Sequence, residues 1–152
     1  MQQSKKIFDF KTEMNKGDKG ELEFLKYYPK AVKHPTREHD FDLDGKKIEL
    51  KSDFYTFEDT DNFFIERYSD YDKLKDGSVW QSAHCDYFVY YFINEGVFFW
   101  FDMTKFRKFL DEYIKNKSYV LIRNRAWTAL GYKVPRDICK DFIIKQDNFR
   151  KE

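Results

Sequence analysis

The chain has 152 residues, and its 28 Lys+Arg against 27 Asp+Glu leave a formal net charge of +1. That length fits one domain around one core, and a hydrophobic share of 41%, with aromatics at 20%, supplies enough apolar surface to exclude general disorder. The longest apolar stretches, residues 87–93 and 97–101, are too short to span a bilayer, and the opening residues 1–6 lead into no apolar signal segment. Cys85 and Cys139 stand at no CxxC or finger-like spacing with the three histidines. Neither a zinc site nor a disulfide framework is therefore expected, and a reducing cytoplasm, bacterial or of a phage-infected host, is the expected setting.

Neutrality hides an asymmetry. Residues 101–152 carry 13 Lys/Arg and 7 Asp/Glu, whereas Asp53, Glu58, Asp59, Asp61, Glu66, Asp70 and Asp72 face only Arg67 within residues 53–72. A polyanion binder that also concentrates carboxylates has this distribution, although a solvated loop and a basic tail have it too.

In chain order, residues 1–16 are polar and read as an N-terminal arm, with a single domain expected over 17–152. Asp18 with Glu21 three residues later has the spacing of a capping box, and Leu22, Leu25 and Tyr28 follow at helical spacing, so a helix is expected over about 19–28. From His39 the period changes to two: Phe41 and Leu43 alternate with acids, Asp44-Gly45 is a hairpin-turn dipeptide, and Ile48 and Leu50 alternate with Lys47, Glu49 and Lys51. Further strands are expected at 62–67, 86–92 and 97–101, then a helix capped by Asp102 or Thr104 and running to about 116. A strand over 119–122 and a short helix opened by Pro135 over 136–143 close the chain. The order indicates an α+β, or mixed α/β, domain.

The hairpin carries the chemistry. A two-residue Asp44-Gly45 turn sets Phe41 opposite Ile48, Asp42 opposite Lys47, and Asp40 opposite Glu49, with the last two carboxylates roughly 5 Å apart at Cβ. Like charges placed so repel, and folding alone gives no reason to keep them. A divalent cation reverses the sign of that interaction, since one or two carboxylates plus water and substrate phosphate are what Mg²⁺ usually takes. Lys51, next on the face of Glu49, would orient or deprotonate the attacking water and offset charge in the transition state. Asp42 shares the face of Asp40 and competes for its role, and a different turn length would favour it.

Gly17 to Glu21 opening a helix, Asp40-Phe-Asp-Leu43, Ile48-Glu-Leu-Lys51, and the segment from Lys51-Ser-Asp53 to Asp61-Asn-Phe-Phe-Ile-Glu66 together resemble the PD-(D/E)XK nuclease superfamily, including phage nuclease-like and Holliday-junction resolvase-like members. The resemblance spans about residues 17–100. It implies a restriction-endonuclease-like αβββαβ core, a central mixed sheet flanked by helices, with the first helix bringing Glu21 beside the hairpin acids. It further implies Asp40, Glu49, Glu21 and the backbone carbonyl of Leu50 as metal ligands, Lys51 as the catalytic lysine, and Mg²⁺, replaceable by Mn²⁺, as cofactor. The activity implied is metal-dependent endonuclease cleavage of DNA, branched or junction DNA above all, by a homodimer in phage-type recombination. The rival expectation is a catalytically inactive nucleic-acid-binding module of the same fold. His39 stands where many members have proline, and Glu21 has capping as an alternative role. Asn62, Glu66, Gln81, Ser82 and His84 are weaker candidates near the site. Lys105, Arg107, Lys108, Lys115, Lys117, Arg123 and Arg125 are candidates for phosphate contacts, and the aromatic run over 87–100 reads as core before it reads as a base-stacking platform.

Overall fold

The computed structural model describes residues 17–55, 59–123 and 126–149. The expected arm over 1–16, Glu58 and Arg125 lie outside the described residues. Helix α1 covers residues 17–27 and is already helical at Asp18, so Asp18 is not the cap expected from the spacing. Then come β1 (Val32–Lys33), β2 (Phe41–Leu43), β3 (Lys46–Asp53), β4 (Asn62–Asp70), β5 (Lys75–Asp76) and α2 (Ser78–Gln81). They are followed by β6 (Tyr87–Phe92), β7 (Val97–Asp102), α3 (Met103–Tyr113), β8 (Val120–Arg123), β9 (Thr128–Pro135) and β10 (Ile143–Asn148). The fold is α+β: a six-stranded mixed sheet ordered β1-β2-β3-β6-β7-β10, and a second, four-stranded sheet ordered β5-β4-β9-β8.

Within the first sheet, β1, β2 and β3 run as an antiparallel meander, and β6 lies parallel to β3. A helix, three strands, a short helix and a parallel strand therefore succeed one another in the expected αβββαβ order, with β7 and β10 added at one side and β4–β5 inserted before α2. The turn that fixes the meander's register is Asp44-Gly45, whose φ angles are 52° and 78°. Two consecutive left-handed residues make the tight turn whose twist matches a hairpin, which is why Asp-Gly is favoured there.

Both faces of the first sheet are buried at its centre, along β6 and β7. Phe88, Tyr90 and Phe92 of β6 enter one core with Phe63, Ile65 and Phe101, while Val89 and Tyr91 enter the other with Phe24, Phe41 and Ile48. The aromatic run is thus packing material, with Phe24 of α1 at 4.6 Å from Phe41 and Phe63 of β4 at 4.9 Å from Tyr90, measured between ring centroids. Helix α1 approaches closely because residue 20 is glycine: a Cβ there would lie 1.9 Å from Ser52 Oγ and 2.9 Å from Ser52 Cβ. That approach hangs Glu21 over the hairpin.

The sheet is not simply flanked by helices, because the second sheet covers one of its faces. Its strand β9 escapes sequence reading since Gly131 and Pro135 break the alternation. Gly131 is needed where β9 meets β4: a Cβ would lie 2.5 Å from Phe64 Cζ and 2.7 Å from the Ile65 carbonyl. Helix α3 opens as expected, with Asp102 accepting from the Lys105 amide at 2.9 Å, and ends in a 3₁₀ turn at Ile114–Asn116. After Pro135 the chain forms a 3₁₀ helix, Arg136–Phe142, and then β10 pairs with β7.

Candidate active site

The register of β2 and β3 sets Phe41 opposite Ile48, Asp42 opposite Lys47 and Leu43 opposite Lys46. The ladder stops there: Asp40 precedes β2 and its amide donates to the Ile48 carbonyl at 3.1 Å, so the expected pairing of Asp40 with Glu49 does not continue the register. Asp40 Oδ2 accepts from the Leu50 amide at 2.8 Å, so its carboxylate is held against the strand that carries Glu49. Phe41 and Ile48 meet on the buried side, which leaves no freedom for a one-residue slip.

Three acids and one ammonium group converge here. Lys33 Nζ of β1 lies 3.1 Å from Glu21 Oε2 and 3.8 Å from Asp40 Oδ1. Burial pushes the Asp40 carboxyl above its ordinary range; the Leu50 amide and the Lys33 charge pull the other way, while Glu21 adds to the rise. Glu49 is pushed from the usual 4.5 up to about 8, first by burial and then by the Asp40 charge, with a hydrogen bond to Ser82 and the Lys33 charge opposing. Two neighbouring carboxyls displaced upward by burial and by the acids beside them make a site that favours a proton or a cation. Glu21, Asp40 and Glu49 are brought together, and the Leu50 backbone beside them is tied to Asp40. With Asp18 inside the helix, Glu21 is free of the capping role and its carboxylate faces Lys33.

Lys51 leaves this group. Two residues beyond Glu49 on the same face of β3, it places Nζ 3.9 Å from Glu66 Oε2 of β4. Together with Asp53, Asn62, Tyr90 and Lys133 these two residues line a cleft of about 420 Å³ between β3 and the second sheet. Asp53 accepts from the Tyr90 hydroxyl at its floor. Asn62 and Glu66 thus share one wall of the cleft. Gln81 is exposed at the end of α2, whereas Ser82 is buried against Glu49.

Asp42 is not the partner of Lys47 that its register suggested. His34 Nδ1 and His39 Nε2 lie 2.7 Å from its two oxygens, one from each, and these hydrogen bonds hold its carboxyl below the usual range. His84 Nε2 is 3.4 Å from His39 Nδ1. Residues 34, 39 and 84 meet only in three dimensions, so their spacing in the chain carried no signal. Lys33 was equally silent, as one lysine in a two-residue strand. Ser82 sat in a stretch that read as a polar loop.

Comparison with protein-family models, curated proteins and solved structures returns no match. No helix among the described residues is long and apolar enough to cross a membrane.

Proposed function

We propose that the chain is a Mg²⁺-dependent endonuclease of the PD-(D/E)XK type that hydrolyses phosphodiester bonds in DNA. The single observation that carries this reading is the convergence of Glu21, Asp40 and Glu49, the last two buried together with raised proton affinity. The αβββαβ succession supports it further. In this reading Asp40 and Glu49, aided by Glu21 and the Leu50 carbonyl, would hold the ion, which would supply Lewis-acid stabilisation of charge on the phosphate. Lys51, on the same face of β3 as Glu49 but turned into the neighbouring cleft, orients the attacking water, while Glu66, 3.9 Å away, pairs with its ammonium. The scissile strand lies along the cleft between Lys51 and Lys133. Junction or branched DNA is the proposed substrate, and two copies, each with one site, cut the two strands.

One observation favours the rival, a binding module of the same fold without catalysis: the Lys33 ammonium already neutralises Glu21 and Asp40. A labelled panel of four-way junction, flap, duplex and single-stranded DNA, with Mg²⁺ or EDTA, separates the two. Cleavage that needs Mg²⁺, is abolished in Lys51→Ala and falls further in Asp40→Asn than in Asp42→Asn supports the nuclease. Tight binding with no cleavage under any metal supports the module.

A further inference from the structure

We propose that His34, His39 and Asp42 form a second metal site, of the imidazole-rich class that takes Zn²⁺ or Co²⁺ rather than Mg²⁺. The strand pairing puts the three together. Register pairs of β1 with β2 are Val32 with Asp42 and Lys33 with Phe41, and the His34 amide donates to the Asp40 carbonyl at 2.9 Å. His34 and Asp42 therefore lie diagonally on one face of the ribbon. The intervening loop folds back so that the His39 ring stacks on the His34 ring, 3.8 Å between centroids and 28° between planes.

The donor atoms suit one ion. A ring nitrogen of His34, a ring nitrogen of His39 and an oxygen of Asp42 all lie within 4.8 Å of one another. A tetrahedral ion bound at about 2.0–2.2 Å from such donors wants them roughly 3.4 Å apart and lies in the plane of each imidazole, so binding requires the stacked His34 and His39 rings to turn out of their stack. Two imidazoles and a carboxylate leave one position for water, and nitrogen donors select late first-row ions over Mg²⁺.

The surroundings also fit. A ligating histidine needs its second nitrogen held by an outer partner, and His39 Nδ1 has His84 Nε2 at 3.4 Å. His39 is buried at 2% exposure, whereas Asp42 is open to solvent, so an ion has both a fixed anchor and an entry path. Bound there, the ion closes the loop that ends at Asp40 and begins beside Lys33. It thereby braces the acid cluster without belonging to it, and the site stands whether or not the chain cleaves DNA.

Titrating the EDTA-stripped full chain with Co²⁺, read by visible d–d absorption, tests this. The expected result, with excess Mg²⁺ present throughout, is a tetrahedral band that saturates at one Co²⁺ per chain and is displaced by equimolar Zn²⁺. The band is lost in His34→Ala and in the isosteric Asp42→Asn, and is kept in Glu49→Gln and Cys85→Ser. His84→Gln weakens affinity 10–100-fold, as removal of an outer partner does. Circular dichroism confirms that each variant is folded, and Asp42→Asn, which keeps side-chain volume, serves should His34→Ala fail to fold. No band in the native chain, a band surviving in both His34→Ala and Asp42→Asn, or a band lost in Glu49→Gln or Cys85→Ser overturns the proposal.

Discussion

Glu49 carries the clearest electrostatic consequence at the scale of single residues. Unfolded, its carboxyl titrates near 4.5; folded, it titrates near 8. Between those values the native state holds a proton that the unfolded chain has lost, so stability of the metal-free protein falls as pH rises across that window. Urea midpoints measured in EDTA across the range are expected to decline, and Glu49→Gln is expected to flatten the decline; parallel slopes would show that Glu49 is not the titrating group. Metal binding must expel the same proton, so Mg²⁺ affinity is expected to rise with pH and level off near 8. Lys33 gives a second residue-scale prediction. Its ammonium screens Glu21 and Asp40 at 3.1 and 3.8 Å, which is the service a cation would render. Lys33→Ala is expected to lower the melting temperature in EDTA and to enlarge the rise produced by saturating Mg²⁺. An unchanged Mg²⁺ increment in that variant would mean that lysine and ion do not share the site.

Among the elements, the contact of α1 with β3 decides whether Glu21 reaches the hairpin. Gly20 permits that contact, and a Cβ at 1.9 Å from Ser52 Oγ and 2.9 Å from Ser52 Cβ cannot be absorbed by rotating the hydroxyl alone. Gly20→Ala gains helix propensity of about 0.5–1 kcal/mol but overpacks the interface at about 1–3 kcal/mol. A net loss of stability is expected in denaturant melts, with recovery when Ser52→Gly is added. Recovery of stability together with DNA cleavage would tie the helix position to the site, whereas an additive double variant would sever the two. The β2–β3 hairpin is the element on which everything else is registered, and its turn needs only Asp44 and Gly45 in left-handed conformation.

Across the whole molecule, charge and topology divide the work. Acids gather at the β1–β2–β3 end, and the basic surplus lies in residues 101–152, where Lys105, Lys108, Lys115, Lys117 and Arg123 are exposed. If those groups hold phosphate, log affinity for DNA falls linearly with log salt, and replacing Lys117 and Arg123 together with alanine is expected to reduce the slope by about 2. A slope unchanged in fluorescence anisotropy titrations would move the nucleic-acid surface elsewhere. The second sheet matters at this scale because it builds the outer wall of the cleft next to Lys51, from Asn62, Glu66, Val120, Ile122 and Lys133.

Much of the hairpin is legible in the sequence. Alternation of period two and an Asp-Gly turn are local facts, and they suffice to set Phe41 against Ile48 and Asp42 against Lys47; that the ladder breaks at Asp40, whose amide turns to Ile48, they do not show. The helical spacing of residues 19–28 foretold α1, though not its approach to Ser52, and Asp102 announced the start of α3. Strands β9 and β10 were hidden, one by a proline and by a glycine that the packing requires, the other by polar residues at an edge. Only the tertiary structure decided that Lys33 sits among the acids, that Lys51 turns to Glu66, and that His34, His39 and His84 gather around Asp42. Each of those depends on which distant segments pair and how closely they pack. A chain's local period states which face a residue occupies, whereas the identity of what faces it is set by contacts between segments far apart in sequence.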